Sequence, residues 1–451
     1  MTPQQPDLRA AIERVLPSVR ADLEALVRIP SVSADPARAD DVLRSAEETA
    51  RLLRAAGSQD VRVLAADGGA PAVVARWPAP QGAPTVLLYA HHDVQPTGAR
   101  ADWTDDPFEP VERDGRLYAR GAADDKAGVA AHLAALRAWD GRPPVGVTVL
   151  VEGEEEVGSP TLAAFLAEHR DLLAADAMVL ADSTNWRVGV PALTRTLRGL
   201  ADCVVEVRTL EHAVHSGMYG GPVPDALTAL CRLLATLHDE RGDVAVPGLV
   251  TGPADPLDLT EEQLRADAGV VEGVELIGSG ALTERLWTRP AVAVVGLDAT
   301  PVASASNTLV PVARAKVSLR VAPGDDAGRA LAALGEHLRA HAPWGARVTV
   351  SDGSTGEPFS TGPDGWAEAA ARRAFAAAWG RDAVDTGIGG SIPFIAAFAE
   401  AFPDAAILVT GVEDPDSRAH GADESLHLGE FAKVCLAEAL LLAELAAGPS
   451  A

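Results

Sequence analysis

The sequence is poor in cysteine, lysine and aromatic residues. Its 451 residues include three cysteines and three lysines, and 4% are aromatic. Cys203, Cys231 and Cys435 lie far apart and are odd in number, which excludes a disulfide framework and a cysteine-based zinc site. The first residues lack the charged and apolar segments of a secretory signal. We therefore expect a cytoplasmic protein.

Positive charge and long apolar runs are also scarce. The chain has 38 basic against 64 acidic side chains, for a formal net charge of −26. Nucleic acids and anionic membranes bind basic surfaces, so we expect neither as a partner. The longest apolar run, near 436–447, is broken by Glu438 and Glu444 and predicts a helix rather than a membrane span. A hydrophobic content of 47% is enough for the cores of two or three domains.

Short apolar runs alternate with helical patterns on both sides of a central segment of the chain, and most of these runs lie before it. Strands are predicted at 61–65, 72–77, 85–89, 146–152 and 178–181. This alternation is typical of an α/β domain with a mixed, mostly parallel sheet flanked by helices. After about residue 196, period-2 strands and two helices indicate a smaller, inserted α+β domain. We expect a catalytic domain of residues 1–196 and 353–451, with a lid or dimerisation domain of residues 197–352.

Histidines and carboxylates recur where predicted strands end. The clusters are His91-His92-Asp93, Asp124-Asp125, Glu152-Gly-Glu154-Glu155-Glu156, Asp182 and His420. Each alone fits an ordinary role, such as helix capping or a solvated acidic loop. Ligands of parallel sheets gather at the carboxyl ends of the strands, where these residues would meet. Imidazole and carboxylate together suit zinc, manganese or cobalt, so the pattern predicts a hydrolase with two metal ions.

The chain resembles the co-catalytic zinc exopeptidases, a family that includes carnosinase, cytosolic non-specific dipeptidase, acetylornithine deacetylase and succinyl-diaminopimelate desuccinylase. The matching motifs occur in the family's order along nearly the whole chain. They are Tyr89-Ala-His-His-Asp-Val-Gln-Pro96, Trp103-Thr-Asp-Asp-Pro-Phe-Glu-Pro110, 114–126, Glu152-Gly-Glu-Glu-Glu-Val-Gly-Ser159, Val214-His-Ser-Gly-Met-Tyr-Gly-Gly221 and Gly389-Gly-Ser-Ile-Pro393.

The resemblance implies two divalent metal ions per chain, with zinc as the first expectation and manganese or cobalt as alternatives. His91 and Asp182 would bind one ion. Glu156 and His420 would bind the other, and Asp124 would bridge the two.

The resemblance also implies the catalytic roles. Asp93 would orient the metal site, and Glu155 would be the general base that takes a proton from the water bridging the metals. Glu154 is the alternative if the match is shifted by one residue. His215 would reach across a homodimer, formed by the inserted domain, to stabilise the oxyanion.

Substrate contacts are implied at four further positions. Arg320 would hold a substrate carboxylate, and Ser391 would contact the substrate from its glycine-rich loop. Asn307 and Thr308 would add a second contact from the partner chain.

The motifs favour a dipeptidase. In the family, aspartate at the position of Asp182 accompanies dipeptidases and aminopeptidases. We expect hydrolysis of the peptide bond of dipeptides or short peptides. An N-acyl or N-carbamoyl amino-acid amidohydrolase is the alternative within the family. A catalytically silent binding module is a third reading, against which the intact metal set and Glu155 argue.

Overall fold

The structure is a computed structural model that describes residues 7–362, 364–390 and 392–448. These residues form thirteen α-helices and eighteen β-strands. The helices are α1 (Leu8–Val27), α2 (Ala39–Ala55), α3 (Lys126–Ala138), α4 (Leu162–Glu168), α5 (Arg170–Leu173), α6 (Ser216–Tyr219), α7 (Ala226–Ala235), α8 (Glu261–Asp267), α9 (Leu282–Trp287), α10 (Ala327–Ala340), α11 (Trp366–Trp379), α12 (Pro393–Ala401) and α13 (Leu428–Leu445). The strands are β1 (Asp60–Leu64), β2 (Ala72–Trp77), β3 (Thr85–His91), β4 (Val111–Arg113), β5 (Arg116–Tyr118), β6 (Gly146–Glu152), β7 (Ala177–Leu180), β8 (Ala192–Leu197), β9 (Gly199–Arg208), β10 (Val214–His215), β11 (Ala291–Asp298), β12 (Thr308–Leu309), β13 (Val312–Val321), β14 (Arg347–Gly356), β15 (Phe359–Ser360), β16 (Val384–Ile388), β17 (Ala406–Val409) and β18 (Ser425–His427).

The chain divides into two compact units. Unit 1 comprises Met1–Arg195, Thr361–Thr386 and Pro393–Ala451, and unit 2 comprises Thr196–Ser360 and Gly387–Ile392. The expected boundary at residue 352 falls inside β14, because this strand continues beside β9 to Gly356. Unit 2 is therefore longer at this end than the expected range.

Unit 1 contains a mixed sheet in the order β1-β2-β6-β3-β7-β17-β8. The four central strands, β6, β3, β7 and β17, are parallel to one another, and the strands on either side are antiparallel to their neighbours. Every residue of β6 is buried, as in strands that are covered on both faces. This sheet confirms the predicted α/β class, and its parallel strands form the centre.

Helices α1, α3, α11 and α13 pack into the core of unit 1, with α3 also against β3. Helix α3 is alanine-rich and buried on nearly all sides, which its small side chains permit. Its first turn directly follows Asp124 and Asp125, so the core holds the loop that carries these carboxylates. Of the helices that the structure describes, none has the length and apolarity that a bilayer crossing needs.

Unit 2 contains an antiparallel sheet in the order β11-β13-β9-β14, with α7 and α10 packed on it. Alternate residues of β13, from Ala313 to Val321, are buried in the core of this unit. The residues between them, including Arg314 and Arg320, belong to the opposite face of the sheet. Strands β10 and β12 form a separate two-stranded ribbon.

Candidate metal centre

The parallel strands of unit 1 end at one edge of its sheet with polar residues. His91 is the last residue of β3 and pairs with Glu152, the last residue of β6. Asp182 follows β7 by two residues. Because parallel strands share a carboxyl edge, side chains that are distant in the sequence converge there.

The first group of potential ligands consists of His91, Asp124 and Asp182, which we call the His91 group. His91 Nε2 lies 3.0 Å from Asp124 Oδ1 and 3.9 Å from Asp182 Oδ2. The His91 side chain is fully buried, so its approach to these oxygens is fixed by the packing around β3.

The second group consists of Asp124, Glu156 and His420, which we call the His420 group. His420 Nε2 lies 3.0 Å from Asp124 Oδ2 and 3.2 Å from Glu156 Oε2. Gln95 holds the Glu156 carboxylate with its backbone N–H (2.9 Å) and its side-chain amide (2.8 Å). The two oxygens of Asp124 thus face different groups, as a bridging carboxylate requires.

Asp93 ties the His91 ring to the acidic loop after β6. His91 Nδ1 lies 3.1 Å from the Asp93 backbone carbonyl oxygen and 3.3 Å from Asp93 Oδ1, which leaves His91 Nε2 directed at Asp124. The same carboxylate accepts hydrogen bonds from the backbone N–H groups of Glu155 (3.2 Å) and Glu156 (3.1 Å). An orienting carboxylate of this kind is typical behind a metal-ligating imidazole.

Hydrogen bonds distinguish Glu155 and His91 from their neighbours in the sequence. The Glu154 carboxylate is occupied by Ala70 N–H (2.9 Å) and by the backbone and hydroxyl of Thr161 (2.8 and 2.6 Å). Glu155 Oε2 instead lies 4.0 Å from His91 Nε2, beside the ligand groups. His92 turns away to the Pro71 carbonyl (2.8 Å). The geometry therefore places Glu155, and not Glu154, at the centre.

The crowded carboxylates perturb one another. Burial, together with the negative charge of Asp182, raises the pKa of Glu155 to about 9. Burial also raises the pKa of Asp182 to about 7, and the charge of Asp124 adds to this effect. Hydrogen bonds to Asp124 and Glu156 raise the pKa of His420 to about 11. Negative charge is thus in excess at this edge of the sheet.

The residues present fit two divalent cations. In each group one nitrogen and two carboxylate oxygens lie within 4.8 Å of one another. Two imidazoles and three carboxylates without cysteine suit zinc, manganese or cobalt. A cation between the carboxylates would relieve the repulsion that raises their pKa values. The residues could thus hold two divalent cations that share the Asp124 carboxylate, an arrangement that suits metal-assisted hydrolysis.

Four of the other predicted residues lie in unit 2. His215 and Thr308 pair across the β10–β12 ribbon, and the Asn307 carbonyl accepts a hydrogen bond from Ser216 N–H (2.9 Å), so these predicted residues form one cluster. Arg320 lies on β13, on the face away from the core of that unit. Ser391 lies outside the residues that the structure describes.

Sequence reasoning missed Gln95, Arg120, Arg198 and Glu424. Glu424 accepts a hydrogen bond from Asp124 N–H (3.1 Å) and pairs with Arg120 at 2.5 Å, while Gln95 binds Glu156. Gln95 and Arg120 belong to motifs singled out above, at 89–96 and 114–126, and Glu424 lies four residues after His420. The sequence therefore indicated the loops that carry these residues, but not the hydrogen bonds and ion pairs that the residues form.

Comparisons with known proteins agree with this site. Residues 87–444 match Peptidase family M20/M25/M40. The chain is 42% identical over 369 residues to the cysteinylglycine-S-conjugate dipeptidase of Corynebacterium striatum, covering 80% of this chain and 81% of that protein. It is 27% identical over 439 residues to the Cys-Gly metallodipeptidase dug1 of Schizosaccharomyces pombe, covering 91% and 92%.

A solved structure extends the comparison to the fold. The crystal structure of human carnosine dipeptidase 1 matches with a TM-score of 0.78 at 24% identity, covering 98% of this chain and 100% of that chain. The chain belongs to the M20/M25/M40 peptidase family, and it is a metal-dependent hydrolase of that family. The resemblance to the dipeptidase branch is confirmed.

Proposed function

We propose that this metallodipeptidase hydrolyses dipeptides that present a free C-terminal carboxylate, with Glu155 as the general base. The observation that carries the proposal is the pair of ligand groups sharing Asp124, with Glu155 4.0 Å from His91 Nε2. The His91 and His420 groups would hold two divalent cations, with zinc as the proposed metal. When bound, such ions polarise the scissile carbonyl and lower the pKa of water.

Side chains of the protein would carry out the proton transfers. Glu155 takes a proton from the attacking water and returns it to the amine as the peptide bond breaks. Glu155 accepts this proton only as a carboxylate, and cations bound in the two ligand groups would favour that ionised form against the burial that raises its pKa. Asp93 keeps this geometry, because one carboxylate fixes both the His91 ring and the backbone of Glu155.

Arg320, with Arg198 beside it, would bind the substrate carboxylate. Arg320 pairs in register with Leu200 of β9, which brings it diagonally opposite Arg198. Burial, with the charge of Arg320, lowers the pKa of Arg198 to about 10. Among the described residues no carboxylate lies within ion-pair distance of either guanidinium. Two adjacent cations without a counter-ion favour an anionic ligand, and a guanidinium suits a carboxylate geometrically.

Replacing Arg320 by alanine should raise KM far more than it lowers kcat for a dipeptide with a free carboxylate. A hydrogen bond to a charged group contributes about 1.5–3 kcal/mol, or roughly a ten- to hundredfold change in KM. The same peptide with an amidated C-terminus should show no such loss. Arg314→Ala is the matched control, because Arg314 lies on the same face of β13 but pairs with Glu206. Equal losses for both peptides would reject the carboxylate role.

His215 would stabilise the oxyanion of the tetrahedral intermediate. It is exposed, and its Nδ1 accepts a hydrogen bond from Gly217 N–H (3.0 Å). In the neutral ring the proton is then on Nε2, which is left as a free donor. Asn307 and Thr308, in the same cluster, would add contacts to the substrate, and we retain Ser391 as a further proposed contact.

We propose that the protein is a homodimer formed through unit 2, so that His215 acts on the partner's site. Edge strand β11 exposes apolar side chains, with 46% of Val294, 59% of Val295 and 49% of Leu297 accessible. Natural proteins rarely leave an apolar edge strand uncovered. A cleft of about 690 Å³ is lined by residues of β11 and of the ribbon, including Leu297 and Thr308. A partner chain would cover this surface.

Substrates that resemble cysteinylglycine are the first to test, because the relatives of Corynebacterium striatum and Schizosaccharomyces pombe are named for such dipeptides. The test is a panel of cysteinylglycine, its S-conjugates and β-Ala-His beside N-acetyl and N-carbamoyl amino acids. Cleavage of the dipeptides alone would support the proposal. Turnover of the acylated amino acids alone would instead support the amidohydrolase. A cytoplasmic location is also proposed, since no disulfide joins the three cysteines, all of which the structure describes.

A further inference from the structure

Glu424 is a buried carboxylate that binds no predicted ligand side chain, yet its four hydrogen bonds all go to the loop before α3. Its Oε2 accepts from Arg120 Nη1 (2.5 Å) and Gly121 N–H (3.0 Å). Its Oε1 accepts from Ala123 N–H (2.9 Å) and Asp124 N–H (3.1 Å). The exposed fraction of Glu424 is 0% and that of Arg120 is 1%. Glu424 therefore fixes the backbone that carries the shared ligand Asp124.

Arg120 extends this connection to the loops of the other ligands. Its Nη2 donates to the carbonyl oxygens of Gly421 (3.2 Å) and Pro96 (3.3 Å). Gly421 directly follows His420. Pro96 directly follows Gln95, which holds the Glu156 carboxylate. One ion pair thus joins the three loops that supply or orient every member of the His420 group.

The other ligands of the His91 group are held differently. His91 ends β3 and is oriented by Asp93, and Asp182 follows β7 within the sheet edge. Neither residue has a hydrogen bond or ion pair with Arg120 or Glu424 in the described part of the chain. The sheet edge therefore supports two members of the His91 group, and Asp124 is the one member that Glu424 also holds, whereas the ion pair is connected to all three members of the His420 group.

We propose that the Arg120–Glu424 ion pair is a positioning device that affects the metal affinity of the His420 group more strongly than that of the His91 group. This inference rests on the proposed function, because it requires that both groups bind metal. Partners behind the ligands typically change metal affinity by about 10–100-fold. The ion pair would thus determine whether the second metal position is filled at a given metal concentration.

Glu424→Gln tests the proposal with little change in volume. Each oxygen of Glu424 accepts two N–H donors, so an amide NH₂ in either orientation would face two donors. Arg120→Lys is the second variant, because an ammonium keeps the charge but loses the planar fork. Glu438→Gln is the matched control. Glu438 is also buried and paired, with His132 at 2.8 Å, but it joins α13 to α3 and contacts no ligand loop.

The measurement is a calorimetric titration of metal-free wild-type and variant protein with zinc and with manganese, under conditions where circular dichroism shows each to be folded. Wild-type and Glu438→Gln protein should bind two ions. In Glu424→Gln and Arg120→Lys, one ion should bind about 10–100-fold more weakly, and the other should lose less affinity because it shares only Asp124 with the His420 group. Adding Glu424→Gln to His420→Ala, which removes the second position directly, should weaken the remaining ion less than Glu424→Gln alone weakens the second ion, because Asp124 is the member of the His91 group that Glu424 binds.

Two outcomes would overturn the inference. In one, both ions keep their wild-type affinity in the Glu424 and Arg120 variants. In the other, both ions are weakened equally, as they would be by a general loss of structure. If the wild-type protein binds no metal, the proposed function itself fails. This outcome is seen in the wild-type titration alone, so it can be told apart from the two outcomes above, which require the variants.

Discussion

We expect that replacing Glu155 by glutamine will lower kcat for dipeptide hydrolysis by about 10²–10⁴-fold while leaving metal content unchanged. General acid–base groups contribute rate factors of this size. The amide keeps the volume of the side chain but cannot accept the proton of the attacking water. Glu155 is not a member of either ligand group, so both groups retain all of their donors. Steady-state kinetics with metal analysis of the same samples checks this result.

Glu154→Gln is the control for this substitution. Glu154 is the adjacent carboxylate, but its oxygens are bound to Thr161 and Ala70. Its replacement should affect stability more than kcat. A large fall in kcat for Glu154→Gln with near-normal kcat for Glu155→Gln would show that Glu154, and not Glu155, is the general base. Unchanged hydrolysis in both variants would reject a carboxylate base in this loop.

The second large effect concerns His215. Removing one preorganised oxyanion donor typically lowers kcat by about 10²–10³-fold, and we expect this for His215→Ala with metal content intact. The side chain is exposed in unit 2 and is not a member of either ligand group. His212→Ala is the matched control, because His212 is an exposed histidine three residues earlier. It should retain wild-type kcat.

The proposed homodimer allows a further test of His215. When the inactive His215→Ala and Glu155→Gln proteins are mixed and allowed to exchange subunits, a hybrid dimer has one site with both Glu155 and the partner's histidine intact. Partial activity should therefore return. If native mass spectrometry shows hybrid dimers and activity does not return, His215 does not act across subunits.

The sequence predicts the α/β class and the strand ends because short apolar runs, which become buried strands, alternate with helical patterns. Strand β6 matches its predicted range, and β3 ends at His91, two residues beyond the predicted end. Strand β8 and helix α12 were not predicted. Residues 192–197 mix two threonines and an arginine with apolar residues, so their strand is defined by its neighbours in the sheet and not by its own pattern.

The residue types of the candidate site were predictable from the sequence, but the hydrogen-bond partners of each residue within the site were not. Histidines and carboxylates at strand ends indicate a metal site, since like charges need a cation. The turn after β6 determines which carboxylate approaches the site. It directs Glu154 to Thr161 and Glu155 towards His91. Likewise, Glu424 lies 300 residues from the Asp124 backbone N–H that it binds, and no local pattern records such a contact.

The central claim is that two metal ions, held by the His91 and His420 groups, are required for dipeptide cleavage. The most direct measurement removes metal with a chelator, adds back zinc, manganese or cobalt in known amounts, and follows cysteinylglycine hydrolysis together with bound metal. We predict no cleavage without metal and full recovery at about two ions per chain. Undiminished cleavage by verified metal-free protein, or no metal bound at any concentration, would contradict the claim.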